Sequence, residues 1–389
     1  MYYIGIDVAK RNHVVAIVDQ HGEVLLKPTE FENSSPGFNS LYELIKSFIL
    51  DRHYVGLEAT GHYGDNLIRF LLDKRCDVRM INPLTTDAFR KQRIRKTKTD
   101  SIDCFIICNV LQTGHATKMT HKKFITREGK QLTRFRQELM TSLTMDKNQL
   151  QACLDLVFPE FNTVFKTKYS KAYIATLKEY PSAQTIATVH LTKLRNLILR
   201  ASSNRISPEL PNLLKEAAVN SIGEPNQVIE LKIQMLIESI EMKIKQVDIL
   251  THKIEILSKE LNSPIFTIPG IGFVTGFTIL CEIQDISLFD TPAKLIAFAG
   301  CDPAVYQSGD YNAPTTAISK RGSKYLRLAL YQAALPAATY NETFGNYYRM
   351  KRSQGKKHRC AQGHLVRKLL RIIFKLLQEN IEFNPTLCI

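Results

Sequence analysis

Tyr2-Tyr3-Ile4-Gly5-Ile6-Asp7-Val8-Ala9-Lys10 alternates apolar residues with small or polar ones, the period of a strand with one face toward a core. Tyr54-Val55-Gly56-Leu57-Glu58-Ala59 repeats the pattern. Each carries one acid, Asp7 or Glu58, pointing away from Ile4 and Ile6 or from Val55 and Leu57. A glycine two places earlier, Gly5 or Gly56, shares the acid's face and is expected to leave open space beside it. Further on, Lys98-Thr99-Asp100-Ser101-Ile102-Asp103 opens an apolar-periodic segment. Asp100 and Asp103, three apart, lie side by side if that segment is a helix.

Four carboxylates on two strands and one helix could converge on a hard cation. Mg²⁺ takes carboxylate oxygen and water, with phosphate filling the positions the protein leaves open, and two such ions roughly 4 Å apart are the usual device for phosphodiester chemistry. Bland readings stand beside this one. A lone strand Asp is more often structural than metal-binding, and Asp100 and Asp103 also suit a helix N-terminus behind a Thr99 cap.

Around this stretch the first 115 residues read as an α/β unit. Strands are expected over Tyr2–Ala9, His13–Gln20 and Glu23–Phe31, with a tight turn at His21-Gly22. Helices are expected over Phe38–Leu50 and Tyr63–Lys74, a short strand over Asp77–Ile81, and Pro83 opens another helix. Three meandering strands followed by alternating helix and strand is the order of a ribonuclease-H-like sheet, in which the first strand is central and carries the first acid; this is fold analogy.

The 389-residue chain has a formal net charge of +15 with 44% hydrophobic residues, and a pI near 9.4. That combination describes a globular protein with an electropositive surface, for which nucleic acid is the leading partner. No apolar run approaches the roughly 20 residues of a membrane span, and the N-terminus enters a strand with no leader; a cytosolic protein with no membrane partner is expected. Eight cysteines without C-x-x-C spacing argue against zinc or a disulfide framework. Cys104 and Cys108 read as small buried residues.

Between Arg90 and Lys98 stand six cations in nine residues: Arg90, Lys91, Arg93, Arg95, Lys96 and Lys98. Such a run is commonly a solvated face, but its position directly before the acid pair suits holding a phosphate backbone over bound metal. Two long apolar-periodic stretches follow, about Thr126–Val157 and Gln227–Leu261, able to pair as a coiled-coil arm or to sit in an ordinary bundle. The proline-bounded stretch 158–225 carries no legible motif.

In the C-terminal part, Pro269-Gly270-Ile271-Gly272 before Phe273–Ile283 resembles a helix-hairpin-helix, whose glycines Gly270 and Gly272 let the backbone approach a phosphate. Ser308, in Gln307-Ser308-Gly309, reads alone as a turn former; beside Lys320 and Arg321, with Arg327 on the next helix, it could be a nucleophile. Arg349 to Arg371 holds nine Lys or Arg and no acid, which suits tracking a DNA or RNA backbone.

The ordered set of acids, long helices, Pro-Gly-Ile-Gly turn, Ser308 triplet and Ser319-Lys320-Arg321-Gly322 closely resembles the insertion-sequence one-ten family, the DEDD transposases also called bridge recombinases. The resemblance implies α/β plus α architecture: a RuvC-like domain at 1–115, a helical coiled-coil linker at 116–262, and a transposase domain at 263–389. It implies Mg²⁺ at Asp7, Glu58, Asp100 and Asp103, and a catalytic Ser308 that forms a serine–DNA phosphodiester. Its implied partners are donor and target DNA, a structured bridge RNA and further copies of the chain, as a tetramer or dimer of dimers, at the bacterial nucleoid. Two enzymes of other classes compete. A RuvC-like Holliday-junction nuclease shares the acids but has no need of Ser308. An actin- or sugar-kinase-type ATP phosphotransferase shares the Gly5–Lys10 loop, but no second Asp-x-Gly phosphate loop follows. A non-catalytic nucleic-acid scaffold would account for the charge but not for the four acids.

Overall fold

The computed structural model describes residues 1–58, 63–91, 100–303, 307–308, 311–312 and 317–385, and divides into two compact units, Met1–Glu128 and Gly129–Ile389. In the first, β1 (Tyr2–Asp7), β2 (Asn12–Asp19) and β3 (Val24–Glu32) form an antiparallel meander. After α1 (Ser35–Ile45), β4 (His53–Glu58) lies parallel to β1. Beyond α2 (Asp65–Asp73), β5 (Val78–Ile81) lies parallel to β4. Then come α3 (Pro83–Lys91), α4 (Asp100–Gln112), the short strand β6 (Ala116–Lys118) and the start of α5 (His121–Val157). The sheet order is β3-β2-β1-β4-β5-β6. The first strand is central, as expected from the order of elements. β6, antiparallel to β5, was not expected.

The two faces of this sheet are filled differently. Ile4, Ile6, Val55 and Leu57 are fully buried against Phe38, Leu41 and Ile45 of α1 and Leu67, Ile68 and Leu71 of α2. On the other face α4 lies across β1, β2 and β4, burying Ile106, Ile107, Val110 and Leu111 beside Tyr3 and Tyr54. Gly5 and Gly56 face this helix. A Cβ on Gly5 would stand 2.3 Å from the Cys104 carbonyl oxygen and 2.8 Å from Cys108 Sγ; one on Gly56 would stand 2.8 Å from Leu111 Cδ1. The expectation of open space beside the acids is therefore corrected. The glycines are slots into which the helix settles: at Gly5 the neighbour is backbone, so close an approach that it leaves no room for a side chain, and at Gly56 it is the Leu111 and Ile107 side chains.

Among the described residues the second unit is helical apart from a two-strand ribbon and a single bridge at its base. Antiparallel pairing of α5 with α11 (Gln227–Leu261) follows from the side chains: Lys243 and Ser239 reach Asp146 at 2.6 and 2.7 Å, and Arg136 reaches Thr251 at 2.8 Å. The stretch 158–225 folds as α6 (Phe161–Val164), α7 (Lys171–Glu179), α8 (Ala183–Thr188), α9 (Leu191–Ala201) and α10 (Leu210–Val219). Its Phe158, Phe161, Phe165 and Tyr173 build one core with Leu150 and Leu154 of α5 and Ile233, Ile237 and Ile240 of α11. The remainder comprises α12 (Phe273–Ile283), α13 (Pro292–Phe298), β7 (Gln307–Ser308), β8 (Tyr311–Asn312), α14 (Lys324–Tyr340), α15 (Glu342–Ser353) and α16 (His358–Glu379).

Before α12 the chain makes only a four-residue 3-10 turn, Pro264–Thr267, where a helix-hairpin-helix would have a helix. Gly270 has φ +87°, and a Cβ there would meet Pro336 and Ala337 at 2.5 Å. The chain's own packing on α14 thus accounts for this glycine. Gly272 begins α12 without a side-chain cap, and nothing lies within 4 Å of where its Cβ would be.

Candidate active site

Asp7 ends β1 and Glu58 ends β4. Their strands are in parallel register with Ile6 opposite Leu57, so the two acids are the next residues on adjacent strands, both on the face covered by α4. That helix begins at Asp100 and carries Asp103. Because Gly5 and Gly56 let α4 sit directly on the strands, its first turn lies at the strand ends that bear the acids. Cys104 registers the meeting: burial, reinforced by the charges of Asp7 and Asp103, pushes its thiol up to about 12. Its Sγ donates to the Val14 carbonyl at 3.0 Å. Cys104 and Cys108 are both buried, as expected.

Asp103 is nearly buried, its side chain only 10% exposed, and its counter-ion is Arg90. Arg90 Nε and Nη2 donate to Asp103 Oδ1 at 3.3 and 3.0 Å, and Nη1 donates to Asp87 at 2.7 Å. The negative charges of Asp103, Asp87 and Glu58 raise the Arg90 guanidinium against the cost of its burial. Arg90 thus ties the α4 acid to Asp87 of α3, within the field of the β4 acid. Among the described residues no group of three or more His, Cys, Asp or Glu stands in an arrangement that could hold a metal ion. The side chain of Asp100 lies outside that description, and a cation already occupies Asp103. Asp7, Glu58 and Asp103 offer only carboxylate oxygen, the donor type a hard divalent ion prefers, so the residues fit such an ion in kind.

The loop leaving Asp7 is held from beneath. His13, fully buried on β2 against Phe31 and Phe38, accepts the Ala9 N–H at Nδ1 over 3.2 Å. Asn33 Nδ2 donates to the Lys10 carbonyl at 3.3 Å. Burial keeps the His13 pKa below its ordinary value, which suits a neutral ring that accepts at Nδ1. Sequence reading passed over His13, and its only signal was a histidine within an otherwise apolar strand.

Arg93, Arg95, Lys96 and Lys98 lie outside the described residues. Lys91 is exposed at the end of α3. In the second unit, Ser308 pairs through its backbone with Tyr311 in the β7–β8 ribbon, and its side chain lies outside the description. The base of that ribbon is described. Pro303 bridges Ile318, Ser319 N–H donates to the Asp302 carbonyl at 2.8 Å, and Ser319 Oγ donates to Asp302 Oδ1 at 2.5 Å. Lys320 takes φ +54° and Gly322 φ +106°. Arg327 Nη1 closes the turn by donating to the carbonyls of Ala299 and Lys320 at 3.1 and 3.4 Å. Arg321 is exposed beside it.

Two family models match in the order that the two ends of the chain require. One, a DEDD transposase model, covers residues 4–159; the other, the transposase IS116/IS110/IS902 family, covers residues 262–349. The chain belongs to the IS110 family of transposases. It is a DNA transposase or recombinase by that membership. The uncharacterized 43.6 kDa protein of insertion element IS110 from Streptomyces coelicolor is 22% identical to this IS110-family chain, over 97% of this chain and 94% of its own. A pilin gene-inverting protein of Moraxella bovis is also 22% identical, over 98% of this chain and 97% of its own. A solved structure, T. thermophilus RuvC in complex with Holliday junction substrate, aligns with 31% of the chain and 100% of its own length at 11% identity and a TM-score of 0.23. At that score it adds nothing to the strand order. Among the described residues no helix is long and apolar enough to cross a membrane.

Proposed function

We propose that this transposase cuts and rejoins DNA through a serine–DNA phosphodiester. Support comes chiefly from the juxtaposition of Asp7 and Glu58 at neighbouring strand ends under the helix of Asp100 and Asp103, in a chain of the IS110 family. Ser308 Oγ attacks a backbone phosphorus and loses its proton, a P–O bond to serine forms, and the P–O bond to the departing strand breaks as that strand's oxygen takes up a proton. The linkage conserves the phosphodiester, so a free DNA hydroxyl can attack it in turn and release the serine. Asp7, Glu58, Asp100 and Asp103 would hold Mg²⁺, which when bound stabilises charge on the phosphoryl oxygens.

In this reading 1–115 is the RuvC-like, ribonuclease-H-like domain, 116–262 a coiled-coil linker and 263–389 the serine-bearing domain. Gly272 at the open start of α12, with Lys91, Arg93, Arg95, Lys96, Lys98, Lys320 and Arg321, contributes cationic or N–H contacts to the strands, while Arg90 stays on Asp103 and Asp87. A structured bridge RNA selects donor and target DNA by base pairing, and the chain acts as a homo-oligomer. α11 supports the last point. Val228, Met235, Met242, Ile249 and Ile256 recur every seven residues and are 77, 64, 59, 68 and 41% exposed, one apolar position per heptad along the solvent side of the helix and so a narrow seam for a second copy.

A suicide substrate nicked near the exchange point tests the serine. The expected result is a protein–DNA species that survives denaturant and is lost in Ser308→Ala. An adduct persisting in that variant overturns the assignment and makes Ser319 the next serine to change. Free ends without any adduct point instead to a water-using nuclease.

A further inference from the structure

Around Tyr331 on α14 the second unit gathers positive charge with almost nothing to balance it. From Lys320 to Lys375 the chain has fourteen Lys or Arg and one acid, Glu342. Among the described residues Arg327, Arg359, Arg367, Lys351 and Lys356 take part in none of the ion pairs, which elsewhere in the unit hold Arg134, Lys178 and Lys243. The three arginines come from two helices that approach where Gly363 of α16 faces the Tyr331 hydroxyl: Arg327 stands one turn before Tyr331 on α14, and Arg359 and Arg367 one turn to either side of Gly363. Burial, and next to it Cys301, push the Tyr331 phenol up, while the charges of Arg367, Arg327 and Arg359 oppose them. Burial and the charges of Arg367, Lys351 and Lys356 push His364 down. Arg367 Nη2 lies 3.0 Å from His364 Nδ1, a contact that requires a neutral ring and leaves its Nε2 proton as a donor. The nearby acid, Asp302, is engaged by Ser319.

Local geometry keeps this cluster in place, with Arg327 Nη1 held by the Ala299 and Lys320 carbonyls and its other nitrogens left without a partner among the described residues. Gln362 Nε2 donates to the Tyr331 carbonyl at 2.9 Å, joining α16 to α14. A Cβ on Gly363 would come within 3.1 Å of the Tyr331 hydroxyl, and one on Gly300 within 2.7 Å of Arg327 Nη1. Two glycines therefore make room for a phenol and a guanidinium. The result is a set of hydrogen-bond donors in surplus positive charge, at the turn from which the Ser308 ribbon springs.

We propose that Arg327, Arg359, Arg367, His364 and Tyr331 form a phosphodiester site at the base of the Ser308 ribbon, binding the nonbridging oxygens of a DNA strand. Guanidinium groups suit this ligand because their paired N–H groups match phosphate oxygens. The site rests on the chain being a DNA transposase and is independent of whether Ser308 is the nucleophile.

The test uses binding alone, so that failure of the serine reading leaves it intact. With histidine-labelled full-length protein, inorganic phosphate should shift the His364 resonance, assigned by His364→Gln. A short single-stranded DNA should shift it at lower concentration. Arg359→Gln with Arg367→Gln should abolish the shift and spare the fold, since Arg359 is exposed and the one hydrogen bond of Arg367 among the described residues is to His364. Lys245→Gln with Lys253→Gln removes the same charge from α11 and should leave the shift unchanged. By anisotropy the arginine pair should weaken DNA binding about tenfold and flatten the slope of log affinity against log salt by about 1.4, at about 0.7 per single-strand phosphate contact. A His364 signal blind to phosphate, a shift that survives in the arginine pair, or equal losses in the lysine control would each overturn the site. A response to RNA of the same sequence without one to DNA would overturn its assignment to DNA.

Discussion

Arg90 grips Asp103 with two guanidinium nitrogens, at 3.0 and 3.3 Å, on a carboxylate whose side chain is only 10% exposed. From sequence Arg90 belonged to a run of cations facing phosphate, yet its guanidinium is turned into the acid cluster. A cation held there competes with any metal for the same oxygen. Arg90→Gln should therefore raise affinity for Mn²⁺, used as a probe, by about tenfold, equivalent to about 1.4 kcal/mol and at the low end for a hydrogen bond to a charged group. Asp103→Asn should abolish both metal binding and strand transfer. Its fold should survive, because Arg90 keeps Asp87 and a quarter of its own surface in water. Calorimetric titration reads the first effect, and unchanged or weakened Mn²⁺ binding in Arg90→Gln would refute the competition.

Gly5 and Gly56 should respond unequally to alanine. At Gly5 the added methyl meets the Cys104 carbonyl at 2.3 Å, backbone that cannot turn aside. At Gly56 it meets the Leu111 and Ile107 side chains at 2.8 to 3.0 Å, which can. Gly5→Ala should cost at least about 3 kcal/mol, the upper end of overpacking, and Gly56→Ala about 1. Strand transfer should fall further than stability alone predicts in Gly5→Ala, because moving α4 moves Asp103 off the strand ends. Urea denaturation beside a strand-transfer assay checks both. Equal costs at the two positions would contradict the packing argument.

These residues also mark what sequence could convey. Alternation around Asp7 and Glu58 fixed the strands and the acids' face, and the 3.6-residue period gave α11 as Gln227–Leu261, the limits it has. What two glycines on that face were for depended on which helix came down on them, and no local pattern encodes a partner. The same holds for 158–225. Its helices α6 to α10 are short and proline-broken, and their apolar residues acquire meaning only against α5 and α11. β6 is three residues held by pairing with β5, too short to show a period. Arg90 was legible as a charge but not as a counter-ion, since its acid lies thirteen residues on.

Glu282 gives the second unit an acid-sensitive joint. Its side chain is fully buried, Arg134 donates to it at 2.6 and 2.9 Å, Ser323 at the start of α14 donates at 2.8 Å, and Lys130 lies 3.9 Å away. Burial pushes its pKa up, but the bonds from Arg134 and Ser323 and the two positive charges carry it below the ordinary 4.5. A depressed carboxylate adds stability that is complete above its unfolded value and lost as pH falls through the folded one. Wild-type stability should therefore decline with acid below 4.5. Glu282→Gln should be about 3 kcal/mol less stable at neutral pH, since the partners of a buried charge are left behind, and should show a shallower decline below 4.5. Denaturation at a series of pH values checks this. Parallel acid limbs for the two proteins would remove Glu282 as the source.

The exposed seam on α11 can be broken without touching the core. Met242 and Ile249 lie 59 and 68% in water, whereas Ile233, Ile237, Ile240 and Ile254 on the same helix are fully buried. Met242→Lys with Ile249→Lys should leave the melting temperature of the single chain nearly unchanged, since exposed positions cost little. Two lysines at seam positions should disfavour association, and light scattering should report a drop to monomer. The assembly can then be tied to chemistry by mixing. Asp103→Asn lacks an acid and Ser308→Ala lacks the nucleophile, so neither alone should transfer strands. Recovery of activity on mixing them would mean that one copy's acids serve another copy's serine, and the same mixture carrying the two seam lysines should then stay silent. Recovery that survives the lysines would show that subunits meet elsewhere than on α11, and no recovery at all would place acids and serine of a working site in one chain.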